Sequence, residues 1–343
     1  MEIKNRYIGI FSDIHLGLGQ DSSLWHEIML EFAEWSSGIY KKCGIEEIII
    51  PGDIFHNRSQ ISVETLSIAK RFFDYFKDFK AIYISTGNHD CYKKDSSDIN
   101  SIKLLDGWQN IHVIDDKPLI LNAPYNKKLG LVPWGTELKD FPTCDVIFAH
   151  LEINSFYMNS YKVCEHGFSY KDLFNYAPTI ISGHFHKKDQ REFKDGKIVY
   201  LGSPYQQNFG DVGDVRGIYV YDIEKNDFKF IENKVSPKHI KINVKDDIDD
   251  DKIKNNFVSL IVNDKIEDLE LDNIKANLIS KSIKSLKVDL DDNIGNLSTT
   301  LDEDAEFEAN DLLKSIEEYT NSLTIEHKKE VVERLKTLYN NLT

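Results

Sequence analysis

The chain lacks any apolar run approaching the roughly 18 to 20 residues of a bilayer span, so no membrane segment is expected. Its opening carries Glu2, Lys4 and Arg6 and reaches Asp13 and His15 without the apolar core of a secretory signal. Cysteine is sparse: Cys43, Cys91, Cys144 and Cys164 form no close pair, and a chain of 343 residues with 41% apolar content can bury a core without disulfide staples. Reduced thiols in a cytoplasm are therefore expected, and a cysteine-rich zinc site is not. A Gly-x-x-x-x-Gly-Lys-Ser/Thr phosphate loop is missing, so ATP hydrolysis by that device would have to come from a partner chain. Zinc fingers, RRM signatures and aromatic ladders are missing too, which excludes the usual base-reading modules. Positive charge is short, with 42 Lys and Arg against 57 Asp and Glu and a net of -15, which argues against a broad basic grip on nucleic acid. The deficit is uneven: residues 1–240 carry 28 basic and 33 acidic side chains, residues 241–343 carry 14 and 24.

What is present over the first two thirds is one repeated pattern, a short run of Ile, Val, Tyr and Phe that ends in Gly, Asp, Asn or His. The runs are Tyr7 to Phe11, Ile48 to Ile50, Ala81 to Ile84, Val146 to Ala149 and Thr179 to Ile181, each reading as a buried strand. Helical periodicity fills the gaps at Trp25 to Tyr40 and at Val63 to Phe76, where Leu66, Ala69, Phe72, Phe73 and Phe76 recur at three and four residues. This alternation predicts an α/β sandwich with function at the carboxyl ends of the strands. Ile198 to Leu201, Gly217 to Asp222 and Phe228 to Ile231 lack intervening helices and are expected to be antiparallel strands closing the sheet. A polar, acidic stretch from Lys241 to Asp251 marks a boundary. Beyond it Phe257 to Val262, Ile266 to Ser280 and Leu286 to Leu290 read as strand, helix and strand, too small a unit to be an enzyme alone. The expected organisation is a domain at 1–240, a small α/β cap at 241–292, and an acidic linker with a helical segment at 293–343. In the last helix Val331, Val332, Leu335, Leu338, Tyr339 and Leu342 share one face, which either docks on its own protein or enters a partner.

The strand-end clusters are Asp13-Ile14-His15, Gly52-Asp53-Ile54-Phe55-His56, Gly87-Asn88-His89-Asp90, Ala149-His150-Leu151-Glu152 and Gly183-His184-Phe185-His186. They supply carboxylate, imidazole and carboxamide and no thiol, a donor mixture suited to Mn²⁺, Fe²⁺ or Zn²⁺. In Asp-x-His and His-x-His the side chains stand two residues apart, so extended backbone projects both to one side, where they can converge on one ion. Any one cluster reads equally well as a polar turn. Their conjunction, each at the end of its own apolar run, points to a metal site.

The ordered set DxH, GDxxH, GNHD, H and GHxH resembles the calcineurin-like metallophosphoesterases, and Gly52 to Arg58 resembles their SbcD-type DNA-repair nuclease branch. His150-Leu151-Glu152-Ile153-Asn154, Ser182 to His186, Tyr200 to Pro204 and Gly213 to Asp222 are similar to the nuclease subunits of T-even-type phage recombination endonucleases, over nearly the full chain. The resemblance implies a metallophosphoesterase β-sandwich flanked by helices. It implies two divalent ions, Mn²⁺ with Mg²⁺ as the alternative, bridged by Asp53; one also takes Asp13, His15 and His186, and the other Asn88, His150 and His184. His89 is then the group that protonates the leaving oxygen, and His56 helps to position a DNA phosphate. The implied activities are 3′-to-5′ double-strand exonuclease and single-strand endonuclease, and the implied partners are DNA, an SbcC-like ABC ATPase held by the C-terminal helices, and a second copy meeting through Val63 to Phe76 and Asp98 to Leu105, giving a homodimer within a heterotetramer. Arg58, Lys93, Lys94, Lys187, Lys188 and Arg191 follow the clusters directly and are candidates for phosphate contacts. Two other readings use the same residues: a phosphatase or cyclic phosphodiesterase for small molecules, or a scaffold subunit with a silent site.

Overall fold

The computed structural model of the protein describes residues 1–290, other than 94–95, 109, 159–161, 247–248 and 263–265, together with Arg334. The chain divides into two compact units, Met1–Asp291 and Asp292–Thr343. Lys94, the acidic linker and the helices expected over 293–343 lie outside the described residues, apart from Arg334.

The first unit opens with β1 (Tyr7–Ile10), the single turn α1 (Leu18–Asp21), α2 (Ser23–Lys42), β2 (Glu47–Pro51), α3 (Val63–Asp74) and β3 (Ala81–Ser85). A hairpin of β4 (Cys91–Lys93) and β5 (Ser96–Asn100) precedes β6 (Ile111–Ile114), β7 (Leu119–Ala123), β8 (Lys127–Val132) and β9 (Val146–His150). After α4 (Tyr170–Leu173) come β10 (Thr179–Gly183), β11 (Asp189–Phe193), β12 (Gly196–Tyr200), β13 (Gly217–Asp222) and β14 (Asp227–Glu232). The unit ends with β15 (His239–Asn243), α5 (Asp250–Ile253), β16 (Phe257–Val262), α6 (Asp268–Ser280) and β17 (Ser285–Leu290).

Two six-stranded sheets, ordered β14-β13-β1-β2-β3-β6 and β11-β12-β10-β9-β8-β7, form the expected sandwich. Period-two alternation decides which face each side chain serves. In β2, Ile49 enters the cluster shared by the two sheets, with Ile8, Ile10, Tyr83, Leu131, Phe148, Ile181 and Tyr219, while Ile48 and Ile50 face the helices. The helical layer is α2 and α3. In α2 the buried residues Trp25, Ile28, Met29, Phe32, Ala33, Ser36 and Tyr40 recur every three or four positions along one stripe. Ser62 caps α3 by accepting from the Thr65 N–H at 2.9 Å. Tyr40 inserts its ring over Gly9 and its hydroxyl donates to the Ile10 carbonyl at 2.9 Å; a Cβ on Gly9 would lie 2.8 Å from that ring.

Three details depart from the sequence expectation. The segment Asp98 to Leu105, which the resemblance implies is a dimer-forming helix, is not an α-helix: Asp98 to Asn100 belong to β5, and Asn100, in extended backbone, caps a 3₁₀ turn over Ser101–Leu105. The Ser-Ser-Asp run before it competes with a helix through its own side chains. The strand at Ile198 to Leu201 runs parallel to β10, because the chain first forms β11 at the outer edge of the second sheet and turns back as β12 into the place beside β10. The expected helix at Val63 to Phe76 stops at Asp74 and leaves Leu66 37% exposed. Among the described residues no helix is long and apolar enough to cross a membrane.

The strand–helix–strand reading over 257–290 is part of a parallel three-stranded sheet, β15-β16-β17, whose first strand continues through Lys241 where the sequence marks a boundary. Its join to α2 is an aromatic stack: His239 lies on Phe257 at 4.6 Å between ring centroids and Phe257 on Trp25 at 5.3 Å. Burial holds the His239 imidazole down at about 4, with Asp211 pulling it up and Arg216 acting with burial. Protonation thus favours the unfolded chain: the stability that His239 contributes is whole above its ordinary value of 6.5 and is lost as the pH falls toward about 4. Urea unfolding at pH 7 and pH 4.5 should show the wild type losing about 2 to 3 kcal/mol more than His239→Phe on acidification; equal losses would mean the ring is not held neutral.

Candidate metal centre

The carboxyl ends of β1, β2 and β3 in one sheet and of β9 and β10 in the other meet at the same edge of the sandwich, and every residue singled out in the five clusters arrives there. Several do so in left-handed backbone, with φ of 58° at Asp13, 54° at His15, 54° at Asp53 and 88° at His184. Such conformations cost a non-glycine residue on the order of 1 to 2 kcal/mol each and persist only where surrounding contacts over-determine them. Close approach is also needed: a Cβ at Gly52 would stand 2.5 Å from His150 Nδ1, and one at Gly87 2.1 Å from Asp53 Oδ1.

Asp53 is at the centre. Its Oδ2 lies 3.5 Å from His15 Nε2 and 3.1 Å from His150 Nε2, and its Oδ1 accepts the His89 N–H at 2.9 Å. On one side Asp13, His15 and His186 bring ligand atoms within 4.8 Å of one another, with the two imidazole Nε2 atoms 3.1 Å apart. On the other, His150 and His184 gather with Asp53, and Asn88 Oδ1 lies 2.9 Å from His150 Nε2 and 2.8 Å from His184 Nδ1. A third group, His15, His56 and His89, meets the same 4.8 Å spacing. The His89 Nδ1–H donates to the His56 carbonyl at 2.7 Å, which fixes its tautomer and leaves Nε2 as the ring's other nitrogen.

The charges are arranged to favour cations. Burial works against the Asp53 carboxylate, yet His150 and then His89 hold it well below the usual range. Burial likewise opposes the His150 cation, and attraction to Asp53 prevails, raising it to about 9. His15 is pushed well below its ordinary value by burial and by His89. Asp13 shows what this cluster lacks: its Oδ1 accepts the His184 N–H at 2.9 Å, while its buried Oδ2 has no hydrogen-bond partner. An orphaned carboxylate oxygen beside two imidazoles fits a divalent cation, since such an atom is costly unless something neutralises it.

Two acidic residues within the clusters have work that their spacing did not reveal. Asp90 is fully buried, and its carboxylate accepts four backbone N–H groups, from Asp53 at 2.8 Å, Ile54 and Phe55 at 3.0 Å, and Gly87 at 2.9 Å. Burial and the Asp53 charge push it up to about 7. Glu152 Oε1 lies 3.3 Å from His184 Nε2, aiming that ring from behind, and the contact lowers its carboxyl. An acidic residue two positions after Asn88 and after His150 was the available signal.

A family model described as calcineurin-like phosphoesterase matches residues 7–188. Exonuclease subunit 1 of Enterobacteria phage T4 is 29% identical over 323 residues, 91% of this chain and 91% of the phage protein. The DNA double-strand break repair protein Mre11 of Methanocaldococcus jannaschii is 26% identical over 224 residues, 58% of each chain. The solved structure of a dimetal phosphatase from Danio rerio is 10% identical with a TM-score of 0.39, covering 63% of this chain and 92% of that one.

Replacing Asp90 by Asn keeps the shape but turns an N–H donor onto the backbone N–H groups. Asp90→Asn should lose about 3 kcal/mol of stability in urea unfolding at pH 8; an unchanged midpoint would show that the loop holds Asp53 without the carboxylate.

Proposed function

The chain belongs to the calcineurin-like phosphoesterase family, and from that premise we propose that it is a Mn²⁺-dependent DNA nuclease subunit. The observation that carries the reading is Asp53 Oδ2, set between His15 and His150 at 3.5 and 3.1 Å. One ion would be held by Asp13, His15 and His186, the other by Asn88, His150 and His184, and Asp53 would serve both. Bound there, the two divalent ions would supply Lewis acidity to a scissile phosphate and to water and offset charge on the entering and leaving oxygens. The likeness to the phage exonuclease subunit over 91% of both chains supports DNA as the substrate and Mre11 supports a repair setting.

The chain's own groups have separable tasks. His89, oriented through Nδ1 by the His56 carbonyl, carries the Nε2 proton to the departing oxygen. His56, ring to ring with His89 at 5.6 Å, orients the DNA phosphate. Lys187, following His186 directly, stands 5.8 Å from the Tyr157 ring on the same surface and supports a backbone contact, whereas the Arg191 charge is met by Asp189 at 2.6 Å. Residues 1–240 form the nuclease domain, 241–292 the cap, and 293–343 capture an SbcC-like ABC ATPase. Exposed Val63, Ile99 and Leu104 support a homodimer through α3 and the segment after β4.

Purified chain with Mn²⁺ should degrade a labelled duplex from 3′ ends and cut single strands. His184→Ala and His89→Ser should each lower the rate by about 10² or more. If DNA stays intact with and without the ATPase while bis(p-nitrophenyl) phosphate is hydrolysed, the nuclease reading is replaced by a small-molecule diesterase. Deleting residues 303–343 should abolish ATPase capture and leave Mn²⁺-dependent hydrolysis; loss of both would place those residues in the core.

A further inference from the structure

The strained backbone of Asp13 and His15 is not self-supporting. The segment from Ser203 to Gln207, between β12 and β13, reaches it at successive points. The Gln207 Nε2–H donates to the Asp13 carbonyl at 2.8 Å, the Tyr205 hydroxyl donates to the Ile14 carbonyl, and the Ser203 N–H donates to the His186 carbonyl at 3.0 Å. These three carbonyls belong to the two stretches that deliver Asp13, His15 and His186. The segment is locked in turn by Arg216, only 5% exposed, which donates to Ser203 Oγ at 2.9 Å, Asp211 Oδ1 at 2.5 Å and Asp214 Oδ2 at 3.0 Å. Asp211 closes the loop by accepting the Gln207 N–H at 2.8 Å. Gln206 continues outward, its Oε1 accepting the His239 N–H of β15 at 2.6 Å. The rest of the centre is held by different groups: Asp90 behind the shared Asp53, and on the other half the Pro51 carbonyl at 2.9 Å from His150 Nδ1 and Glu152 behind His184.

We propose that Ser203–Gln207 is a brace for one half of the metal centre, with Gln207 and Tyr205 as positioning residues that set the affinity of the Asp13–His15–His186 ion and not of its neighbour. The inference rests on the reading of these residues as a two-ion site. With its carbonyl pinned, Asp13 keeps φ at 58° and its carboxylate stays within 4.8 Å of the His15 and His186 ligand atoms; released, the backbone relaxes toward negative φ and the carboxylate swings with it. The cap sheet, tied to the next residue, is linked to the same half.

The test is Mn²⁺ titration by calorimetry on the full chain, with anomalous diffraction from Mn²⁺-soaked crystals to identify which ion is affected. Gln207→Glu replaces the donor by an oxygen facing the Asp13 carbonyl with no change of shape. It should weaken one of two ions by about tenfold or more and remove the peak beside Asp13 and His186, leaving the one beside Asn88 and His184. Tyr205→Phe should act on the same ion, and Glu152→Gln on the opposite one. Equal weakening of both ions, or of neither, in variants that melt like the wild type would overturn the brace while the metal reading stands. A wild-type chain that takes up no Mn²⁺ would remove the metal reading and the brace with it. Should Gln207→Glu not fold, Tyr205→Phe decides the same question.

Discussion

The centre depends on one buried carboxylate that faces away from it. Asp90 gathers the N–H groups of Asp53, Ile54 and Phe55 into an anion-binding concavity and ties in Gly87 from the same turn as Asn88 and His89. Two clusters that leave adjacent strands, β2 and β3, thereby become one rigid body, with Asp53 held in left-handed backbone between them. Burial and the Asp53 charge oppose an anion in that position, four oriented donors offset part of that cost, and the carboxylate prevents the loop from relaxing in a direction that would point Asp53 out of the site. Removing Asp90 from the picture leaves the ligands present and their directions undetermined.

The second constraint is the packing of sheet on sheet. Asp13, Asp53 and Asn88 descend from the first sheet and His150, His184 and His186 from the second, so their separations are set by the apolar layer of Ile8, Ile10, Ile49, Phe148, Ile181 and Tyr219 between the sheets. Hydrogen bonds stitch the seam where the layers meet: His150 Nδ1 to the Pro51 carbonyl at 2.9 Å and the His184 N–H to Asp13 at 2.9 Å. A change of one methylene in that layer is felt at the ligands, since close-packed interiors transmit displacement rather than absorb it.

Much of this was legible in the amino-acid order. The apolar runs before each cluster mark strands because parallel strands are buried on both faces, and the clusters mark strand ends because polar ligands cannot sit inside such runs. Less legible was anything whose cause is a distant partner. β11 reads as a charged loop, Asp189-Gln190-Arg191-Glu192, because as an edge strand it needs no apolar face, and overlooking it turns β12 around. The helix at Asp98 to Leu105 was implied by the resemblance alone, and the residues there that need burial, Ile102 and Leu105, are buried equally well by a 3₁₀ turn. Gln207 carries no signal, because its importance lies in a carbonyl 194 positions earlier in the chain. The polar residues with a structural part to play were visible as letters and became distinguishable only by what they face.

The distances along the chain have a kinetic meaning. His184 meets Asp13 across 171 positions and Gln207 meets it across 194, so no nascent fragment and no half-docked intermediate holds both sides of the centre. Contacts of such separation form late, after loop closure has been accomplished by the apolar layers. Cations that need both sheets therefore have nothing complete to bind in the unfolded ensemble, and their binding free energy adds to the barrier against opening rather than to the speed of assembly. The metal centre acts as a latch that the finished sandwich closes, not as a nucleus around which it gathers.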